Sequence, residues 1–343
     1  MPTRREKTLK LPVQIALAAL IASVGLAPGC GSGSGSSQAR EADRVDLESV
    51  LAADDATQRA KLLLASGRLR DALAEFERAV EINPMAIDAH IGIGDVYKGE
   101  GDLPRAEVAY RRAANLGPSS FQAQYAHALV LQIMEQYAKA VRAYLRALQI
   151  NPRDFKANMN LGLAFVQLGE PQQGLPYAER ATRLSPSSGA AHHNLGVCYA
   201  AVGRHDEAIG AYRRASEELG LVPQLLLAIA DSQAALEDHA AAASTLQRLI
   251  NVEPSADAWR RLGAARFRVR EYTASFEAFS TALEFDSEHF PALNGIAVCR
   301  LNDYLWSDKT DLDALEDAVN AMRQSLRIKR DQPKIIELLT RFG

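Results

Sequence analysis

Residues 87–120 read IDAHIGIGDVYKGEGDLPRAEVAYRRAANLGPSS, and the next stretch, residues 121–154, reads FQAQYAHALVLQIMEQYAKAVRAYLRALQINPRD. Each stretch has 34 residues, with a proline two residues before its end. The spacing of 34 continues along the chain at Pro84, Pro118, Pro152 and Pro186, then at Gly220 and Pro254. A fixed period of this length is typical of an array in which one small structural unit stacks on the next.

Three positions of the period carry residues of constant size. We count them from residues 53, 87, 121, 155, 189, 223, 256 and 290, and leave out about nine extra residues in the last stretch. Position 8 is always small: Ala60, Gly94, Ala128, Gly162, Gly196, Ala230, Gly263 and Ala297. Position 20 is also small: Ala72, Ala106, Ala140, Gly174, Ala208, Ala242, Ser275 and Ala318. Position 24 is mostly large: Phe76, Tyr110, Tyr144, Ala178, Tyr212, Leu246, Phe279 and Met322. Glycine inside a helix costs about 1 kcal/mol relative to alanine, so these glycines indicate two helices in close contact.

This pattern resembles the tetratricopeptide repeat family, which has small residues at positions 8, 20 and 27, an aromatic residue at 24 and proline at 32. The resemblance implies an all-α fold, a right-handed superhelical solenoid of about eight antiparallel helix hairpins. The predicted repeats, residues 53–332 in all, are 53–86, 87–120, 121–154, 155–188, 189–222, 223–255, 256–289 and 290–332. Position 11 departs from the pattern in the last three, with Gln233, Arg266 and Arg300 where a large apolar residue is expected.

Further features are predicted at the turns within the hairpins and at the C-terminal end. The eighth repeat carries about nine extra residues near Trp306 to Asp313, between its two helices. Glycines at 67, 101, 169 and 203 are expected to end helices in the left-handed region. Residues 333–343 are predicted to form a capping helix, with Ile336 and Leu339 facing inward, because the last repeat must cover its apolar face.

The first 52 residues have a different composition. Basic residues between Arg4 and Lys10 precede an apolar stretch from Leu11 to Leu26, the order of a secretory signal, which we place at residues 1–29. The segment before Cys30 resembles a bacterial lipobox, although Ala27 stands where leucine is usual. A Gly/Ser run follows Cys30, so residues 30–52 are predicted to be a flexible tether and lead-in. An uncleaved anchor, or secretion with an incidental cysteine, is the alternative.

Charge and cysteine content exclude several classes of protein. Without residues 1–29 the chain holds 35 basic and 41 acidic residues, a net charge of −6. No basic surplus remains to neutralise phosphates, so nucleic acid is not expected as a partner. Three cysteines cannot form a disulfide framework. Cys198 and Cys299 both fall at position 10 of a predicted helix and are interpreted as small core residues.

The resemblance also implies a binding groove. In this family ligands usually lie along positions 2, 5, 6, 9, 12 and 13 of the first helix of each hairpin. The corresponding residues in the middle of this chain are Tyr125, Leu129, Met159, Asn160, Leu163, His193, Asn194 and Val197. This surface suits an extended peptide or a helix with apolar anchors. Arg260, Arg261 and Arg268 are predicted to form a basic end that receives a carboxylate.

The repeat pattern explains some of these groove residues better than others, and one binding mode of the family is not expected. Leu163 and Val197 fit packing between neighbouring repeats as well as they fit ligand contact, whereas the repeat pattern explains less of Tyr125 and His193. The family's carboxylate clamp for acidic C-terminal tails is not expected, because Tyr125 and Leu129 stand where lysine and asparagine would precede Asn160.

The sequence predicts a binding protein and no enzyme. It contains no His-x-x-x-His pair, no Cys-x-x-Cys and no phosphate-binding glycine loop, so no catalytic residue, cofactor, metal or small-molecule substrate is expected. The chain resembles tetratricopeptide lipoproteins that act as pilotins for type IV pilus secretins or as adaptors for cell-wall hydrolases. That resemblance implies an outer-membrane lipoprotein that faces the periplasm and binds an envelope protein. A regulatory subunit of a glycan synthesis or export complex is an alternative, as is a secreted or inner-membrane-anchored protein.

Overall fold

The computed structural model describes residues 35–220 and 222–343, with side chains from residue 47 onward. The predicted signal at 1–29 and Cys30 lie outside these residues. Residues 50–343 form one compact unit, and the described residues before it, 35–49, belong to another. Seventeen helices and no strand occur in the described part: α1 (Gly35–Ala65), α2 (Leu69–Ile82), α3 (Ile87–Gly99), α4 (Leu103–Leu116), α5 (Phe121–Ile133), α6 (Tyr137–Ile150), α7 (Phe155–Leu168), α8 (Pro171–Leu184), α9 (Gly189–Ala201), α10 (His205–Leu219), α11 (Pro223–Ala235), α12 (His239–Val252), α13 (Ala256–Arg268), α14 (Tyr272–Phe285), α15 (Phe290–Trp306), α16 (Leu312–Ile328) and α17 (Pro333–Phe342).

The helices form consecutive hairpins. We call the first helix of a hairpin helix A (α1, α3 and so on to α15) and the second helix B (α2, α4 and so on to α16). The closest packing joins A and B of one hairpin, and the next closest joins helix B to helix A of the following hairpin. Each hairpin therefore buries its apolar surface mainly against its neighbours in sequence, which is the arrangement of a solenoid. The all-helical solenoid predicted from the sequence is confirmed.

The small and large positions of the repeat form the core between the helices. All residues at positions 8, 20 and 24 are buried, including those of the last three repeats. A Cβ atom added to Gly94 would lie 2.5 Å from the ring of Tyr110 at position 24 of the same hairpin. The glycine thus leaves room for the ring, and the ring fills the space between the helices.

The turns within the hairpins need the left-handed conformation. Gly67, Gly101, Gly169 and Gly203 have φ values of 77°, 81°, 86° and 80°, as predicted. The same repeat position holds non-glycine residues in the third, sixth and seventh hairpins: Glu135 (φ 59°), Glu237 (φ 61°) and Arg270 (φ 67°). A side chain there costs about 1–2 kcal/mol. The fold imposes this turn even where the sequence lacks the residue that favours it.

A hydrogen bond at position 4 of helix A fixes several turns between hairpins. The ring nitrogen Nε2 of His90 lies 3.1 Å from the carbonyl oxygen of Pro84, and His192 Nε2 lies 2.8 Å from that of Pro186. Asn158 replaces histidine in the fourth hairpin and donates to the carbonyl oxygen of Pro152 at 3.1 Å. All three side chains are buried. The proline that follows helix B therefore also supplies its carbonyl oxygen as a hydrogen-bond acceptor for helix A of the next hairpin.

Three details differ from the sequence prediction. Helix α1 begins at Gly35, so residues 35–52 are helical where a flexible tether is predicted; beyond Ser37 the segment contains no glycine or proline to break a helix. In α17 the buried isoleucine is Ile335, whereas Ile336 is 46% exposed, so the inward position predicted for Ile336 is wrong; Leu339 packs against the core as predicted. The extra residues of the eighth hairpin lengthen both of its helices and leave a turn at 307–311. None of the described helices is long and apolar enough to cross a membrane.

Candidate functional site

The candidate site lies where successive A helices meet. Helix α3 contacts α5, α5 contacts α7, α7 contacts α9, and α13 contacts α15. Side chains bond directly across these junctions. Lys61 Nζ lies 2.7 Å from an Asp88 carboxylate oxygen, Gln132 donates to Gln167 at 2.6 Å, and Asn160 donates to the Tyr125 hydroxyl at 3.1 Å. Every one of these residues occupies a repeat position that the family resemblance assigns to ligand binding.

Tyr125 lies in the middle of this surface and is held from several sides. Its ring stacks on that of Phe121 with centroids 5.7 Å apart and lies 5.9 Å from the ring of the buried Tyr144. Burial raises the pKa of Tyr125, and the carboxylate of Asp154 acts in the same direction. The phenol therefore stays protonated at neutral pH. It can accept from Asn160 and donate to another group.

The fifth hairpin has a related arrangement with different residues. The ring of His193 lies 5.9 Å from that of Tyr212, the position-24 residue of the same hairpin. Nδ1 of His193 lies 3.3 Å from the carboxamide oxygen of Asn194. Val197 is partly buried and packs against the core between α10 and α11. Val197 therefore packs against the following repeat, while His193 and Asn194 hold polar atoms on the A-helix surface.

The remaining predicted residues of this section are less polar. Leu129, Met159 and Leu163 are all partly buried. Tyr125 and Asn160 lie on the same two helices, and the Gln132–Gln167 pair lies near the C-terminal ends of these helices. The section therefore combines partly buried apolar side chains with amide and hydroxyl groups. We call the surface formed by Tyr125, Leu129, Asn160, Leu163, His193, Asn194 and Val197 the central groove. It contains no Asp, Glu, Lys or Arg.

Two of the three arginines predicted as a basic end, Arg260 and Arg261, have acidic partners that were not predicted from the sequence. Arg260 donates to Asp257 at 2.8 and 3.0 Å. Arg261 donates to the same carboxylate at 2.6 Å and also to Asp231 on α11. Two positive charges thus meet two negative ones, and Arg268 is exposed without an ion pair to any described residue. This end is a charge-balanced cluster with one additional cation.

Several residues of the site escaped the prediction although they occupy the same repeat positions. Gln132 and Gln167 stand at positions 12 and 13, next to Ile133, which is 47% exposed. The hydroxyl of Tyr144 donates to Gln132 at 2.8 Å, which connects the buried core to the surface amides. Asp231 and Asp257 stand at positions 9 and 2. Reading all six positions in every repeat would have found them.

Chemistry other than binding finds little support in the described residues. They contain no group of three or more His, Cys, Asp or Glu side chains placed to hold a metal ion. Cys198 and Cys299 are buried, and burial raises the pKa of both thiols, that of Cys198 to about 12. At neutral pH these thiols are not nucleophiles.

A tetratricopeptide repeat model matches residues 57–121, 161–219 and 227–289, and a further TPR repeat model matches residues 133–169. The chain belongs to the tetratricopeptide repeat family. Comparison with curated proteins gives no significant match. Among solved structures, a tetratricopeptide repeat protein from Parabacteroides merdae has a TM-score of 0.53 and 18% identity, covering 69% of this chain and 94% of its own. PilF from Pseudomonas aeruginosa has a TM-score of 0.52 and 23% identity, covering 60% of this chain and 94% of its own.

Membership of the tetratricopeptide repeat family fixes the general function. Repeats of this kind form protein–protein interaction scaffolds, and their partners are proteins. The likeness to PilF and to the Parabacteroides protein, at below 25% identity, concerns the fold alone. The central groove of this tetratricopeptide repeat array is therefore best examined as a binding surface for a protein segment.

Proposed function

We propose that this chain is a non-catalytic scaffold of the bacterial cell envelope, tethered by a lipid on Cys30, that holds a segment of a partner protein in the central groove. The observation that carries the proposal is the bonded contact between Asn160 and Tyr125 across two A helices, with the His193–Asn194 pair one hairpin further along. Tyr125, Asn160 and Asn194 are partly buried and uncharged. They are suited to a partner that brings apolar side chains and backbone polar groups, and less suited to one that brings charge.

The chemistry of the groove favours an extended peptide or one face of a helix. Carboxamides have both donors and an acceptor, so Asn160 and Asn194 can pair with the N–H and the C=O of a bound main chain. Leu129 and Leu163 supply an apolar floor for side chains that alternate with those bonds. Recognition by main-chain bonds and small pockets is a recurring mode of peptide binding.

The proposed location rests on the leader sequence. The basic residues, the apolar stretch from Leu11 to Leu26, and Cys30 followed by Gly and Ser are arranged as in bacterial lipoproteins. Gly31 after the cysteine agrees with sorting to the outer membrane of a Gram-negative bacterium. The scaffold would then face the periplasm, where it assembles or positions a membrane machine.

Crosslinking from defined faces tests the groove. A photo-crosslinking amino acid is placed at Asn160 or Asn194, and at Arg142 or Arg213 as matched controls on exposed B-helix surfaces. In cells of the source organism we expect one partner species to crosslink from the groove positions and not from the controls. The double variant Tyr125→Phe, His193→Ala should lower the crosslinked yield by about tenfold. Equal yields from both faces would exclude the groove as the binding site.

The tether is tested separately. The full chain is expressed with its leader in a Gram-negative host, and the mature N-terminus is weighed by mass spectrometry. A diacylglyceryl-modified Cys30, absent from Cys30→Ala, is the expected result. An unmodified N-terminus would remove the lipid anchor and leave a secreted or leader-anchored binding protein, whatever the crosslinking shows.

A further inference from the structure

The eighth hairpin extends beyond the others. Helices α15 and α16 have 17 residues each, whereas α2 to α14 have 13–15. The turn between them is well bonded. Ser307 accepts from the backbone N–H of Asp311 at 3.0 Å, and the Thr310 hydroxyl donates to the Ser307 carbonyl at 2.7 Å. Asp311 accepts from the Ala314 N–H at 2.9 Å and so caps α16. The tip is therefore a fixed structure that projects from the array.

Apolar side chains are concentrated on this tip. Leu305, Trp306 and Leu312 are 46%, 72% and 65% exposed. The ring of Trp306 lies 5.9 Å from that of Tyr272 in the preceding hairpin, and Tyr272 lies 5.2 Å from Phe267. We call Leu305, Trp306, Leu312 and Tyr272 the tip patch. Contiguous exposed apolar surface marks interaction sites, and tryptophan is among the residues that contribute most to binding.

The tip patch is surrounded by negative charge. Residues 303–317 contain six acidic residues and one lysine, a net charge of −5 against −3 for the entire chain. Asp303 and Asp317 both pair with Arg300. Asp308, Asp313 and Glu316 are exposed and form no ion pair with any residue in the described part of the chain. Arg300 and residues 266–272, which hold Tyr272 and contain three arginines and one glutamate, reduce this net charge to −2, so the surroundings of the aromatic rings remain acidic overall.

We propose that the tip patch is a second docking surface, separate from the central groove, for a basic segment of a partner protein that carries an apolar anchor. Arginine or lysine can pack over the exposed ring of Trp306 and pair with the surrounding carboxylates at the same time. Charge selects this occupant over others. A second copy of the chain would bring a tip of the same charge, and an anionic lipid surface would be repelled.

Subtractive peptide selection tests the proposal on the full chain. Random twelve-residue peptides displayed on phage are selected on the wild-type protein and, in parallel, on Trp306→Ala. Peptides enriched only on the wild type should contain arginine or lysine together with an aromatic or aliphatic residue. Acidic or uncharged peptides, or pools that do not differ between the two proteins, would overturn the proposal. Peptides that bind the central groove are enriched equally on both proteins, so the comparison of the two pools removes them.

The best peptide is then synthesised and titrated by fluorescence polarisation. Trp306→Ala should weaken its binding by about tenfold or more, as expected for the loss of a tryptophan anchor. The triple variant Asp308→Asn, Asp313→Asn, Glu316→Gln should weaken binding and flatten its dependence on salt. Leu236→Ala with Glu237→Gln, an exposed pair at the turn of the sixth hairpin, is the matched control and should bind as the wild type does.

Two further outcomes decide against the tip patch. If Tyr125→Phe, His193→Ala abolishes binding while Trp306→Ala does not, the peptide occupies the groove. If sedimentation shows that the wild type is a dimer and Trp306→Ala is a monomer, the tip patch joins two copies of the chain. Because Trp306 is mostly exposed, its replacement should leave the unfolding midpoint and the helical circular dichroism signal unchanged.

Discussion

The fourth and fifth hairpins solve the same packing problem in two ways. In the fifth, Gly196 at position 8 leaves room for the ring of Tyr212, since an added Cβ would lie 2.5 Å from it. In the fourth, position 24 is Ala178 and position 20 is Gly174, whose added Cβ would lie 2.5 Å from the carbonyl oxygen of Gly162. One hairpin fills the space between its helices with a ring, and the other closes it by bringing two backbones together. The repeat pattern therefore keeps the space between helices A and B closely packed. Different hairpins achieve this with different residues.

The largest effect is expected where backbone meets backbone. Gly174→Val should lower the free energy of unfolding by about 3 kcal/mol, because the added atoms meet the Gly162 carbonyl and no flexible side chain can give way. Urea unfolding followed by circular dichroism measures the change.

Gly210→Ala in α10 is the control for Gly174→Val. An added Cβ at Gly210 has open space, so alanine should stabilise by up to about 1 kcal/mol through helix propensity. Equal destabilisation by the two variants would show that glycine is not required for close packing in the fourth hairpin.

An intermediate effect is expected from the ring of the fifth hairpin. Gly196→Ala alone should cost about 2 kcal/mol by overpacking against Tyr212. In a Tyr212→Leu background the same change should cost far less, with a coupling of about 1 kcal/mol or more between the two sites. The double-mutant cycle measures this coupling from four unfolding curves. Strictly additive losses would mean that the glycine does not make room for the ring.

A smaller difference separates the two position-4 hydrogen bonds. Asn158 donates to Pro152 and also lies 2.7 Å from the Asp154 carbonyl oxygen, whereas His192 reaches only Pro186. Asn158→Leu should therefore destabilise by about 2 kcal/mol and His192→Leu by about 1 kcal/mol. Thermal unfolding of the two variants gives the comparison. The reverse order would assign the main stabilisation to the histidine ring.

The last prediction concerns the reactivity of the buried thiols. Burial raises the pKa of Cys198 to about 12, so at pH 8 only about one thiol in 10⁴ is ionised in the folded protein. Ellman's reagent should label Cys198 only as fast as the fifth hairpin opens. Cys299 in the eighth hairpin serves as the internal reference. In Gly174→Val the labelling of Cys198 should accelerate more than that of Cys299; equal acceleration would mean that the array opens as a whole.

The scaffold could be predicted from the sequence because a fixed period turns each buried contact into a recurring residue. Positions 8, 20 and 24 are buried in every repeat, even where position 11 had lost its pattern. The faces between repeats were harder to predict. Arg261, at position 6 of its repeat, pairs with Asp231, at position 9 of the preceding repeat. This pairing can be predicted only when the angle between successive A helices is known. Ile335 and Ile336 are adjacent, so an error of one residue rotates the predicted face by about 100°.

The position-24 rings also bear on how the molecule responds to force. Phe279 contacts Gly263 of its own hairpin and Gly295 of the next, so the ring fastens two successive units together. At the junction of the fourth and fifth hairpins position 24 is Ala178, and the ring comes instead from Tyr199 of α9, which packs against Ala178, Leu195, Cys198 and Ala211 and donates to Glu179 of α8 at 3.3 Å. Stretched from its two ends, the array would transmit force through junctions that are built from different rings. At the fourth and fifth hairpins the ring belongs to α9, which also carries His193 and Asn194 of the central groove, so tension along the array is carried there by a helix that holds the bound partner.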